Sequence, residues 1–317
     1  MVAYLSDASA RPPHLLKFAR IALTRPLELL AEAPGRFSGS AQPGSPYRLD
    51  EQALKAAPHN TRAHRRQLLT LTLKHARQVT LNVHDHAGTL QKCLGGDSVP
   101  IYAHGTLSRV TCESAALVSY LLDPAIGLEE RITRGAALVW DSVENLVEQY
   151  NAKPAYMQQR IGTGHTDAQR DLRKTIDKAG MTLLSGAIRL GQHKEPFRPK
   201  LGSLVAATFP DMPGMYSHRS GAVHSSPWVL ANPISRSDGE LLEGQVDIGD
   251  LASATRAAIR AIDVVIASFA AYFGHDGRAE AAELERRAQN LTQLMSDYFN
   301  SMVAAGRGNE LMGRVLP

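Results

Sequence analysis

Residues 101–138 read IYAHGTLSRVTCESAALVSYLLDPAIGLEERITRGAAL, and this stretch decides the fold class. Its apolar and small side chains recur three and four residues apart rather than in alternation, which is the helical period. A helix is expected from Ser98-Val99-Pro100, where proline is tolerated in a first turn, to Leu122. Asp123-Pro124 breaks the chain, and another helix is expected from Leu128 to Tyr150.

The same period extends in both directions. Upstream, Leu69, Leu73, Ala76, Val79, Val83 and Leu90 mark a helix from Arg62 toward Cys93, capped by Asn60 or Thr61 and stopped by Gly95, Gly96 and Asp97. Downstream, helices are expected over about Thr166–Leu190, from Pro213 to about Ser226, from Asp250 or Ser253 to Phe273, and from Arg278 to about Ala304. A Pro-rich passage, Glu195 to Pro213, follows the first of these. Near the start, Leu15–Leu30 is helical in pattern but interrupted by Pro26. Residues 31–60, with Pro34, Gly35, Gly39, Pro43, Gly44, Pro46 and Pro58, read as a loop or linker. No alternating run is long enough for a sheet. The expectation is an all-α protein: a bundle of long helices over 59–305, an N-terminal helical appendage with its linker over 1–58, and a C-terminal tail over 306–317.

Composition narrows the class. The 317 residues are 44% hydrophobic and 21% charged, which suits a globular core and excludes global disorder. With 35 Lys and Arg against 31 Asp and Glu, the net charge of +4 leans weakly toward an anionic partner. Two cysteines, Cys93 and Cys112, can build neither a thiolate zinc site nor a disulfide framework, so a reducing cytoplasm is expected. The N-terminus has no signal-peptide pattern, and no apolar run reaches membrane-spanning length, so no membrane is expected.

Two constellations carry chemistry. Tyr216, Ser220, His224 and Trp228 stand four apart and would form one drifting stripe on a helix. A phenol, a hydroxyl and an imidazole in series can orient a histidine for proton transfer. Pro227 ends or kinks that helix just past His224, where the macrodipole favours the imidazolium. Read from the residues alone, the stripe more simply locks two helices together. The second constellation is the i,i+4 pair Arg109 and Glu113 amid Ala, Leu, Val and Thr, with His104 nearby and Arg131 and Arg134 on the next helix. Charges in such surroundings either hold an anion or pair with one another between helices.

Other signals are weaker. His84-Asp85-His86 resembles a metal motif, but histidines two apart on a helix diverge, so no metal is expected and Asp85 is left as a lone base or ligand. Gly162–His165 lacks the ending of a phosphate-binding loop. The basic groups at Arg62, Arg65 and Arg66 and at Arg170, Arg173 and Lys174 read as solvated faces able to meet phosphate or an acidic protein. Aromatic residues at 6% offer no stacking platform, and sequence-specific nucleic-acid reading is not indicated.

Taken in order, the Arg109–Glu113–Tyr120–Asp123-Pro124 run with Glu130, Arg131 and Arg134, followed by Tyr216–Ser220–His224–Pro227-Trp228, resembles a group of uncharacterised all-helical actinobacterial proteins. The resemblance spans roughly residues 60–305 and implies the fold, not a reaction. Arg219 and His224 also match the Arg-x4-His spacing of HEPN-type metal-independent ribonucleases. That resemblance implies a dimeric helical bundle with acid–base chemistry on a ribose hydroxyl.

The favoured expectation is a cofactor-free acid–base enzyme of specialised metabolism. Its substrate would be small and anionic, free or presented by an acidic carrier protein, and its reaction an elimination, cyclisation or group transfer. His224 and Glu113 would move protons, Tyr216 and Ser220 would orient His224, and Arg109, Arg131, Arg134, His104 and Asp85 would complete the site. The alternatives are the HEPN-like ribonuclease and a non-catalytic helical interaction protein, and a homodimer is compatible with each.

Overall fold

The computed structural model describes residues 13–95, 102–161, 164–213, 234–236, 242–244 and 248–304. It is predominantly helical, as the periodicity requires. α1 (Pro13–Ser38) and α2 (Pro46–Ala56) precede the longest helix, α3 (His59–Cys93). α4 (Ala103–Leu121), α5 (Leu128–Asn151), α6 (Ala155–Ile161) and α7 (Gly164–Lys178) follow. After a small sheet come α8 (Leu201–Thr208), α9 (Ile248–Phe273) and α10 (Arg278–Ala304).

Residues 13–56 depart from the sequence expectation. α1 runs through both Pro26 and Pro34. Each proline removes one backbone donor, and burial of Leu23, Leu27 and Leu30 in the main core offsets that loss. α1 packs on α9, α3 and α10, so it is an integral helix of the bundle rather than an appendage. The Pro- and Gly-rich passage also holds α2, which starts with Pro46 in its first turn and with Ser45 accepting from the Arg48 amide at 3.4 Å.

Residues 179–196 also differ from the expected helix to Leu190. α7 stops at Lys178, where the Met181 amide folds back onto the Ile176 carbonyl. Three short antiparallel strands follow: β1 (Thr182–Leu184), β2 (Ala187–Leu190) and β3 (His193–Pro196). Two-residue turns join them, with Gly186 at φ 75° and Gly191 at φ 58°, a left-handed conformation that glycine adopts without steric cost. The strands are too short to announce themselves by alternation, although Ser185-Gly186 and Gly191-Gln192 are hairpin-turn pairs. A further pair, β4 (Ile234–Arg236) and β5 (Leu242–Gly244), is antiparallel.

Among the described residues, two apolar clusters form. The larger joins α1, α4, α9 and α10 through residues such as Leu30, Leu121, Ile262 and Leu291. The smaller joins α5, α7 and the three-stranded sheet through Ile132, Trp140, Ile176 and Ile188. α3 contributes to both, giving Leu68 and Leu69 to the smaller and Val83 and Leu90 to the larger. α4 is the central rod, packed by α3, α9 and α8, and every one of its residues is buried or half-buried. Its Gly, Ala, Ser and Thr content lets neighbours approach on several sides.

Candidate functional site

Because α4 has no fully exposed residue, its polar side chains project into the bundle or its seams. Arg109 Nε donates to Glu113 Oε1 at 2.7 Å, with the two side chains 13% and 17% exposed. This is the local i,i+4 pair that the spacing predicts, now placed away from bulk water, where a charge-assisted bond is strongest.

His104 is fully buried in the first turn of α4, and its Nε2 lies 2.8 Å from Asp250 Oδ2 in the first turn of α9. The bond ties the starts of two helices together and fixes the ring. His104 and Glu113 are nine residues apart on α4. They therefore point about 180° apart and stand roughly 13 Å apart along the axis. Along α4, the geometry does not bring these two residues to one point.

The arginines of α5 are engaged elsewhere. Arg131 is completely buried; its Nε donates to Asp50 Oδ2 at 2.8 Å, and its terminal nitrogens donate to the Leu121, Asp123 and Ile126 carbonyls. The guanidinium also lies over the Tyr272 ring at 4.4 Å, and the Tyr272 hydroxyl donates to the same Asp50 oxygen at 2.8 Å. Arg131 is thus a core lock rather than an anion holder. Arg134 donates to Glu130 at 2.5 Å and to the Tyr120 carbonyl at 2.7 Å, with Asp123 at 3.6 Å and Glu195 at 3.8 Å. Its guanidinium stacks on the Tyr120 ring at 4.3 Å. Three carboxylates around one guanidinium leave a negative surplus, so this cluster repels an added anion. Burial, reinforced by the bond that the Tyr120 hydroxyl donates to Glu195, holds Tyr120 well above the usual phenol range.

Asp85 lies on the exposed side of α3, in a groove shared with α1 and not against α4. Tyr216, Arg219, Ser220, His224 and Trp228 lie outside the described residues. The residues bordering their stretch are anchored: Asp211 faces Arg260 at 3.5 Å and Arg256 at 3.7 Å on α9, while Asp250 bonds His104 on α4. Sequence reasoning missed Asp50, Glu195 and Asp250, the carboxylates that engage Arg131, Tyr120 and His104. Each lies more than 70 residues from its partner, with separations of 81, 75 and 146, where no spacing rule reaches.

Among the described residues no three His, Cys, Asp or Glu side chains gather as metal ligands, and no helix is long and apolar enough to cross a membrane. Set against protein families, curated proteins and solved structures, the chain matches none of them.

Proposed function

We propose that the protein is a metal-free acid–base enzyme acting on a small anionic substrate, with Glu113 and Arg109 of α4 at its centre. The half-buried 2.7 Å Arg109–Glu113 pair carries this reading, because it holds a carboxylate in a fixed direction out of bulk water. The anchoring of residues 211 and 250 to α9 and α4 supports a role for the stretch between them, which holds Tyr216, Ser220 and His224. In this reading Glu113 takes a proton from the substrate and His224 returns one to the leaving group. Tyr216 and Ser220 orient His224, and Arg109 faces the substrate's negative charge. Arg131, Arg134 and Asp85 take no part, and His104 positions α4 through Asp250.

The test is a depletion assay on a mixed extract of small anionic metabolites, read by mass spectrometry. Wild-type protein is expected to consume at least one component that Glu113→Gln and His224→Ala, confirmed folded by circular dichroism, leave untouched. An extract unchanged by the wild type, or changed equally by all three proteins, overturns the reading. A parallel arm with mixed RNA and a chelator includes Arg219→Ala. Cleavage by the wild type, lost in Arg219→Ala and His224→Ala, would replace the proposal with a ribonuclease.

A further inference from the structure

α1 and α3 pass each other without closing, leaving a groove of about 450 Å³. That volume falls within the range of small-molecule sites. Leu27 and Ala31 of α1 and Gly88 of α3 form its apolar part, and Asp85 and Lys92 stand at its two ends. The groove is separate from the α4 site, and it takes in the His84-Asp85 pair for which that site has no use.

Gly88 is the unexpected residue. It sits inside a helix of 35 residues, where glycine is the least favoured residue after proline. Packing does not demand it, because a Cβ built there meets nothing within 4 Å. Gly135 on α5 is the contrasting case: its Cβ would fall 1.9 Å from Thr72 Oγ1, so packing explains that glycine fully. At Gly88 the missing side chain leaves room over the helix, and Ala31 leaves room on the facing side.

The charges have a direction. Asp85, Gly88 and Lys92 share one face of α3, with Asp85 and Lys92 two turns apart, roughly 10 Å along the axis. Both end residues are exposed, and neither joins an ion pair among the described residues. Glu28 adds a second carboxylate to the lining, itself bonded to Arg25 at 2.9 Å. Gln91 Nε2 donates to the Arg20 carbonyl and to Thr24 Oγ1 at 3.2 and 3.0 Å, which fixes the spacing of the two helices beside the groove.

We infer that this groove binds a small zwitterion, its ammonium at Asp85, its acidic group at Lys92, and its aliphatic chain over Gly88 and Ala31. Carboxylate and phosphate are alike to Lys92 as acceptors of a charge-assisted bond.

Titration of the isotope-labelled full chain, read by amide NMR shifts, tests this. The probes are glycine, 4-aminobutyrate, 6-aminohexanoate and 2-aminoethyl phosphate, with hexylamine and hexanoate as single-charge controls. Saturable shifts confined to residues 24–31 and 84–92 are expected with at least one of the longer zwitterions. Binding should be at least about ten-fold weaker for each control, and for Asp85→Asn, Lys92→Gln and Gly88→Leu. Gly88→Leu is expected to melt no lower than the wild type, since leucine favours the helix and its Cβ meets nothing within 4 Å. The proposal falls if no zwitterion gives saturable shifts, if the shifts lie elsewhere, or if hexylamine or hexanoate binds equally well. Undiminished binding by Gly88→Leu also overturns it.

Discussion

At Arg131 a full positive charge sits without solvent contact, held by one carboxylate, three carbonyls and an aromatic face. Removing one partner of such a pair strands the other, so Asp50→Ala is expected to cost about 3–5 kcal/mol in urea unfolding. Tyr272→Phe removes only one donor to Asp50 and should cost roughly 1–3 kcal/mol. Gly135 raises a different issue, close approach. Gly135→Ala drives a methyl group into Thr72 and should cost about 1–3 kcal/mol, with part of that recovered in the Thr72→Ala double variant. The Arg109–Glu113 pair could be read from the sequence because both members lie on one helix turn. The Arg131 lock could not, because Asp50 and Tyr272 come from segments that only folding brings together.

Among the elements, α3 carries one source of pH dependence, a histidine. Burial pushes His75 below its ordinary value, against a smaller opposing effect from its bond to Gln78. The folded chain therefore keeps His75 neutral at a pH where the unfolded chain has begun to protonate it. This contribution to stability is complete above the unfolded value of about 6.5 and is lost as pH falls through and below it. Urea midpoints between pH 7.5 and 5 should show that slope, and His75→Gln should flatten it. α3, α5 and α10 are legible in the sequence because uninterrupted amphipathic periods are long there, although α3 starts at His59 behind Pro58 and not at a cap from Asn60 or Thr61; α10 spans Arg278–Ala304, matching the expected limits. α1 is not legible in the sequence because Pro26 and Pro34 stop a helix on local grounds, whereas its apolar face is claimed by α9. The three-stranded sheet leaves no alternating signal because no strand in it exceeds four residues.

Across the whole molecule, the two apolar clusters are joined by the length of α3, by the Asp50–Arg131–Tyr272 contact and by the Arg134–Tyr120–Glu195 contacts. Arg131 belongs to α5 on the smaller-cluster side, and Tyr272 lies in the larger cluster. Loosening that joint should separate their unfolding. In Asp50→Ala, hydrogen exchange is expected to show α5, α7 and the sheet opening at lower free energy than α4 and α9, while the wild type opens them together. Equal protection across both sets in the variant would show that α3 and the Arg134–Tyr120–Glu195 contacts couple them without Asp50. The joint also has a history in time. Tyr272 is made 141 residues after Arg131. At ordinary rates of synthesis that is about 7–30 s during which the guanidinium lacks its aromatic cover. Through that interval the newborn chain carries an unfinished ionic centre, and the ribosome's pace, as much as the sequence, governs how long it stays open to water and to other chains.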